Sequence, residues 1–185
     1  MIDLDINLLV HQVKPLLPTE ELKRLLIFAR DGDTVDLKVI VEHLQVEITL
    51  SDDFREWGHI RKISGSDRAA VELKRSNTSA MNRTILALAL ADYLLTPRRL
   101  NLHGLSYDMF SINDMYSQSR GARMMLATRL VMPEKIIYQV NQQGFPLIDY
   151  SEANQLIPEF VRSSLPAAAA ARALKNQRSN MSIVV

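Results

Sequence analysis

The first third of the chain carries two helical stripes separated by turn-forming residues. The stripes are two sets of apolar residues spaced three or four apart: Leu22, Leu25, Leu26 and Ala29, then Leu37, Ile40, Val41 and Leu44. This spacing places each set on one face of a helix. Asp31-Gly32-Asp33 ends the first of these helices, and Asp36 is positioned to cap the second. A further helix is predicted over 7–17.

Three segments that follow alternate between apolar and polar residues, as half-buried strands do. They cover 46–50, 59–63 and 68–74. The last two are separated by Ser64-Gly65-Ser66-Asp67, whose Gly and Asp favour a hairpin turn. We therefore expect a small antiparallel sheet of about three strands.

The second half of the chain is dominated by helical patterns. Residues 84–95 are apolar nearly all round, which predicts a buried central helix, with N-cap candidates at 76–79. Ser111–Asp114 resembles a capping box for a helix that continues to about Val131. Further helices are predicted from Pro133, over 151–162 and over 165–176. This order of elements predicts an α+β fold.

Composition narrows the classes of function. The chain has 185 residues, of which 47% are apolar, and this suffices for one domain with a sizeable core. Its 22 Lys and Arg against 21 Asp and Glu give a net charge of +1, which does not indicate nucleic-acid binding. It has no cysteine, so a disulfide or a thiolate zinc site is excluded. The start lacks a basic signal region and no run reaches about 18 apolar residues, so we expect a soluble cytoplasmic protein.

The central helix carries a resemblance to a known family. Residues 83–95 read Arg-Thr-Ile-Leu-Ala-Leu-Ala-Leu-Ala-Asp-Tyr-Leu-Leu, similar to the Arg-Phe-Thr-Leu-Ala-His-Glu-Leu-Gly-His-Tyr-Leu-Leu segment of the ImmA/IrrE zinc metallopeptidases. Residues 122–133 resemble that family's later segment ending in Met-Pro. The resemblance covers about 34–140 and implies a metallopeptidase-like (zincin-like) domain. It divides the chain into four parts: an N-terminal helical segment (1–33), a degenerate core (34–142), C-terminal helices (143–178) and a flexible tail (179–185).

The residues that give this family its chemistry are missing. The resemblance implies paired His where Leu88 and Asp92 stand, a general base at Ala89, and a third ligand at Ala122. No Asp or Glu occurs over 115–133, so shifting the register does not restore that ligand. A catalytic zinc needs three protein ligands and an open position for water. We therefore expect no metal, no cofactor and no catalytic residue, which defines a pseudopeptidase.

Asp92 is the one acidic residue left at these positions. In a structural interpretation it pairs with Arg83 or Arg123; in a functional one, these residues and Tyr93 line a polar pocket that binds a partner. The four His, at 11, 43, 59 and 103, show no metal-ligand spacing. An enzyme with relocated chemistry around Asp92 or His103 is the remaining catalytic hypothesis.

The resemblance also implies a biological setting. Members of the family accompany helix-turn-helix repressors of phages and mobile elements, and active ones cut the repressor. A non-catalytic relative from a prophage would bind a helix-turn-helix regulator or another protein by occupancy. We expect docking in the old substrate groove, with strand addition at the edge of the hairpin. The alternative is a toxin-antitoxin component; homo-oligomers are compatible with both, and nothing indicates membrane binding.

Overall fold

The computed structural model describes residues 15–31, 34–52, 55–100, 104–108 and 118–131. The helices predicted beyond Val131, the tail and most of the helix predicted over 7–17 lie outside these ranges. The prediction over 7–17 is wrong for the three residues that are described, because Pro15–Leu17 form a bent segment and not a helix. Pro18 follows them, and a residue before proline disfavours the helical conformation. The Leu16 N–H instead donates to the Leu94 carbonyl at 2.7 Å, which ties this segment to the central helix.

Helices α1 (Thr19–Phe28) and α2 (Leu37–His43) form where apolar spacing predicts them. The Asp36 carboxylate accepts the backbone N–H of Lys38 at 2.8 Å, which confirms it as the cap of α2. Between the helices the chain forms two short antiparallel strands, β1 (Arg30–Asp31) and β2 (Thr34–Val35), rather than a simple turn. Strands of two residues are too short to leave an alternating pattern.

The described residues form a main sheet of four strands. They are β3 (Glu47–Ser51), β4 (Gly58–Lys62), β5 (Ala69–Lys74) and β6 (Leu105–Tyr107), in the spatial order β3-β5-β4-β6. The predicted hairpin is confirmed as the antiparallel β4–β5 pair. The fully antiparallel three-stranded sheet is wrong, because β5 lies between β3 and β4 and pairs with β3 in parallel. Sequence analysis missed the fourth strand, because three residues are too few to show an alternating pattern.

The central helix α3 spans Ser79–Leu95 and is enclosed as predicted. The Thr78 hydroxyl accepts the Met81 N–H at 3.2 Å and caps its start, and every residue of 84–95 except Leu86 is buried. Strands β4 and β5 pack against α3, as does helix α4 (Gln118–Val131). The end of α4 agrees with the prediction, whereas the proposed capping box at 111–114 lies outside the described residues.

In the described part of the chain, the core is one apolar cluster that joins α1, α2, the sheet, α3 and α4. A short 3-10 helix, Pro97–Leu100, follows α3 and buries Leu100. The α+β class is therefore confirmed. None of the helices within the described ranges has the length and apolar character that crossing a bilayer requires.

Candidate functional site

A buried polar cluster lies where α3, β6 and α4 meet. Its centre is the Asp92 carboxylate, which is 1% exposed. Asp92 Oδ2 accepts the Tyr107 hydroxyl at 2.9 Å and an N–H of Arg123 Nη1 at 3.4 Å. Each of the three side chains comes from a different element, so the cluster fastens β6 and α4 to the central helix.

The ion pair with Arg123 agrees with the structural interpretation of Asp92. Removing a carboxylate from water costs several kcal/mol unless a cation and hydrogen bonds replace the solvent. Arg123 is itself buried, so its guanidinium supplies that cation in a region that excludes water. Both charges are neutralised inside the protein.

Arg83, the other basic residue considered for Asp92, does not reach it. The two residues stand nine positions apart on α3, which separates them by roughly 14 Å along the helix axis at 1.5 Å per residue. Arg83 is partly buried, and within the described residues its Nε has no hydrogen-bond partner.

Tyr93 follows Asp92 in sequence, but its side chain makes a hydrogen bond outside the Asp92 cluster. Its hydroxyl donates to the backbone carbonyl of Asp67 at 2.6 Å, in the turn between β4 and β5. Burial raises the pKa of Tyr93, and the nearby Asp67 charge adds to this effect. The expected pocket of Arg83, Tyr93, Asp92 and Arg123 is therefore not one site, because only Asp92 and Arg123 come together.

The residues that the family resemblance aligns with a zinc site do not fit a zinc ion. Leu88 and Ala89 are fully buried members of the core, and Ala122 is partly buried against it. None of the three carries a side-chain donor atom, and the Asp92 oxygen lies 3.4 Å from a guanidinium nitrogen. In the described ranges, no three His, Cys, Asp or Glu side chains are grouped as metal ligands would be.

The histidines give no second centre within the described residues. His43 is exposed at the end of α2, and His59 is partly buried on β4 beside Gly104. His11, His103 and Asp114 lie outside these residues, so relocated chemistry around His103 stays a hypothesis.

The open edge of the sheet is not the one expected. The hairpin strands β4 and β5 are both interior strands, because β6 pairs with β4 and β3 pairs with β5. Strand addition at the hairpin edge is therefore wrong for the part of the hairpin that these neighbours cover. In the described sheet the long outer strand is β3.

Two pairs of exposed apolar residues were missed by sequence reasoning. Ile27 and Phe28, at the end of α1, are 74% and 78% exposed, and Ile48 and Leu50, on β3, are 42% and 49% exposed. The first pair could have been found, because both residues lie off the apolar stripe of α1. The second could not, because alternation on β3 predicts burial of its apolar face.

Comparison with family models, with curated proteins and with solved structures finds no match to this chain. The fold and the site define the chain as an α+β protein built on a mixed four-stranded sheet. It has a buried Asp–Arg–Tyr cluster at the end of its central helix.

Proposed function

We propose that this chain is a non-catalytic cytoplasmic protein of a prophage or mobile element that regulates a protein partner by binding it. One observation carries the non-catalytic part: the carboxylate of Asp92 is buried and already engaged by Tyr107 and Arg123. Its charge is used to hold three elements together. Hydrolysis by a metal-bound water has no ligand set at these residues.

Electrostatics argue against a divalent cation beside Asp92. A guanidinium at 3.4 Å from Oδ2 repels such a cation, and in a buried region this repulsion is weakly screened. Replacing Arg123 by a metal would also leave the guanidinium buried without its counter-charge, at a cost of several kcal/mol.

The apolar residues around Asp92 support the same interpretation. Leu88, one turn before Asp92 on α3, and Ala89 are completely enclosed. Apolar side chains at these positions remove polar groups that would cost about 1–3 kcal/mol each if they were buried without a partner. A packed interior has no room for a scissile peptide bond.

The exposed end of α1 supports binding to a protein. Ile27 and Phe28 expose most of their side chains next to each other, and Arg24 lies one helical turn earlier on the same surface. Aromatic and Arg side chains are enriched at the centres of interfaces. This combination fits a partner with an apolar pocket and an acidic rim. The family resemblance makes a helix-turn-helix regulator the first choice.

Binding to a helix-turn-helix regulator tests the proposal, with the regulator chosen from the genes that neighbour the gene of this chain. We expect full-length chain and regulator to form a complex in isothermal titration calorimetry, with the regulator intact on a gel after incubation. Phe28→Glu should weaken the complex about 30-fold, the effect of losing roughly 2 kcal/mol at an interface centre. Ser64→Glu adds the same charge at an exposed residue of the hairpin turn and is the matched control.

Three results would contradict the proposal. The first is absence of binding to the regulator. The second is cleavage of the regulator that Asp92→Asn abolishes. The third is stoichiometric zinc, measured by mass spectrometry in the purified wild-type chain and absent from the Asp92→Asn variant.

A further inference from the structure

Strand β3 is apolar on the face that the rest of the sheet buries. In the parallel pair, Ile48 aligns with Val71 and Leu50 with Leu73, so the members of each pair lie on the same face. Gly58 of β4 lies opposite Leu73 of β5. A Cβ atom added at Gly58 would lie 2.7 Å from Ile85 Cγ2 of α3. This face is therefore the one that the central helix covers.

The helices among the described residues leave the apolar face of β3 partly uncovered. Val71 and Leu73 are buried, whereas Ile48 and Leu50 are 42% and 49% exposed. The two apolar side chains thus extend the core face of the sheet into solvent. A neighbouring strand with apolar residues on the same face would bury them.

The backbone of β3 presents hydrogen-bonding groups at the same two residues. The Ser51 carbonyl accepts the Arg75 N–H at 2.9 Å and so points towards β5. Because backbone groups alternate in direction along a strand, those of Thr49 also point to β5 and those of Ile48 and Leu50 point to the outer edge. In the described sheet, β3 pairs with β5 alone.

We propose that β3 pairs with β3 of a second copy of this chain, antiparallel and centred on Thr49. In this register, Ile48 lies opposite Leu50 of the second copy, and Leu50 lies opposite its Ile48. Each of these two pairs exchanges two backbone bonds, so every outward-pointing group of Ile48 and Leu50 is used. The four apolar side chains come together on one face of an eight-stranded sheet.

The charged residues at the ends of β3 are compatible with this two-fold pairing. Glu47 forms an ion pair with Arg68 at 3.3 Å, and Asp52 forms one with Arg75 at 3.1 Å. In the Thr49-centred register, Glu47 lies opposite Ser51 of the second copy and Asp52 lies opposite its Val46. No like charges oppose each other, which would destabilise a strand pair.

The outer edge of β3 also lacks the features that prevent edge strands from pairing with other chains. Natural edge strands are blocked by Lys, Pro, bulges or inward-pointing charges. The sequence Glu47-Ile48-Thr49-Leu50-Ser51 contains neither Lys nor Pro, and its register with β5 runs without a bulge. A second copy is favoured over an unrelated strand because the same five residues satisfy both sides of a two-fold interface.

A single-cysteine variant tests the register directly, because the chain contains no cysteine of its own. Thr49 and its symmetry mate form a non-hydrogen-bonded pair with Cα atoms about 4.5 Å apart, within the disulfide range of about 4.4–6.8 Å. We expect Thr49→Cys to form a disulfide-linked dimer in mild oxidant, at least 10-fold faster than Ser64→Cys. Ser64 is exposed in the hairpin turn and is the matched control.

A proline in place of Leu50 gives a second test of the proposed strand pairing. Leu50→Pro removes an N–H that points to the outer edge and none that bonds to β5, so the fold is retained while the new pair is broken. In the Thr49→Cys background it should abolish the fast crosslink, and circular dichroism should be unchanged. The average mass of the wild type should rise clearly above the 21.0 kDa chain mass in sedimentation equilibrium at about 100 μM, a high concentration that is needed because so small an interface binds weakly.

Three outcomes would show that the proposal is wrong. The Thr49→Cys variant crosslinks no faster than Ser64→Cys, or Leu50→Pro leaves the crosslink of the Thr49→Cys variant unchanged, or the wild type stays monomeric at that concentration. These outcomes do not depend on a regulator, on Phe28 or on zinc. Self-pairing and partner binding can therefore fail separately.

Discussion

The two outer strands of the sheet are held in opposite ways. Strand β6 has only three residues, yet contacts fasten it at both ends. Tyr107 is buried and donates to Asp92, and Gly104 lies against the backbone of β4. Strand β3 has five residues, of which four are exposed, and it is held by β5 alone among the described strands.

This difference shows where the molecule uses its polar and its apolar groups. A charged cluster lies inside the protein at the β6 side, where it joins three elements. Two apolar side chains, Ile48 and Leu50, are about half exposed at the β3 side. The β6 side should therefore be sensitive to substitution in the isolated chain, and the β3 side should be sensitive only in its interactions with other molecules.

The largest effect is expected from Arg123→Met, which removes the cation of the buried pair while keeping much of the side-chain volume. It leaves the Asp92 carboxylate buried without that cation, at a cost of about 4 kcal/mol. The melting temperature should fall by roughly 12 °C for a chain of this size. Calorimetric unfolding of the variant and the wild type measures this fall in melting temperature.

The double variant Asp92→Leu/Arg123→Met is the control for that prediction. Replacing both members of a buried pair by apolar residues is often close to neutral, so it should recover more than half of the lost stability. If the double variant is less stable than Arg123→Met alone, the pair is not what holds α4 to α3.

The second largest effect is a difference in stability between alanine substitutions at two glycines that have nearly the same backbone conformation. Gly104 and Gly65 have φ values of +69° and +72°, so alanine is strained by about 1 kcal/mol at either position. At Gly104 a Cβ atom would also lie 2.4 Å from the Ile60 carbonyl oxygen, whereas at Gly65 nothing lies within 4 Å. Gly104→Ala should cost about 3 kcal/mol in total and Gly65→Ala about 1.

Chemical denaturation of the two glycine variants checks this difference. Equal losses would mean that β6 moves away from β4 easily, and the contrast between the two outer strands would disappear. A larger loss at Gly104 would show that β6 is fixed by close backbone contact as well as by Tyr107.

Local patterns were enough to predict most of the described elements. Apolar spacing located α1 and α2, Asp36 was correctly chosen as a cap, and the Gly and Asp content of 64–67 located the hairpin. The enclosed central helix followed from its all-round apolar sequence. These features are determined by residues that are close together in the chain.

The features that depend on distant residues could not be predicted. The parallel pairing of β3 with β5 joins residues 23 positions apart in the chain, such as Glu47 and Ala70, and β6 is defined by its partner β4. Within the candidate site, the choice of Arg123 over Arg83 could have followed from helix geometry alone. The contribution of Tyr107 could not, because it required knowing that β6 exists.

The smallest effect is expected on β3, and it is measured against β5. Leu50 and Leu73 are register partners on the same face, but Leu50 is half-exposed and Leu73 is buried. Leu73→Ala should cost about 3 kcal/mol because it leaves a cavity, whereas Leu50→Ala should cost less than about 1 kcal/mol in dilute protein. Urea unfolding of both variants at a concentration that keeps the chain monomeric measures the difference. Equal costs would mean that Leu50 is already covered within one chain, and an edge covered in that way could not pair with a second copy.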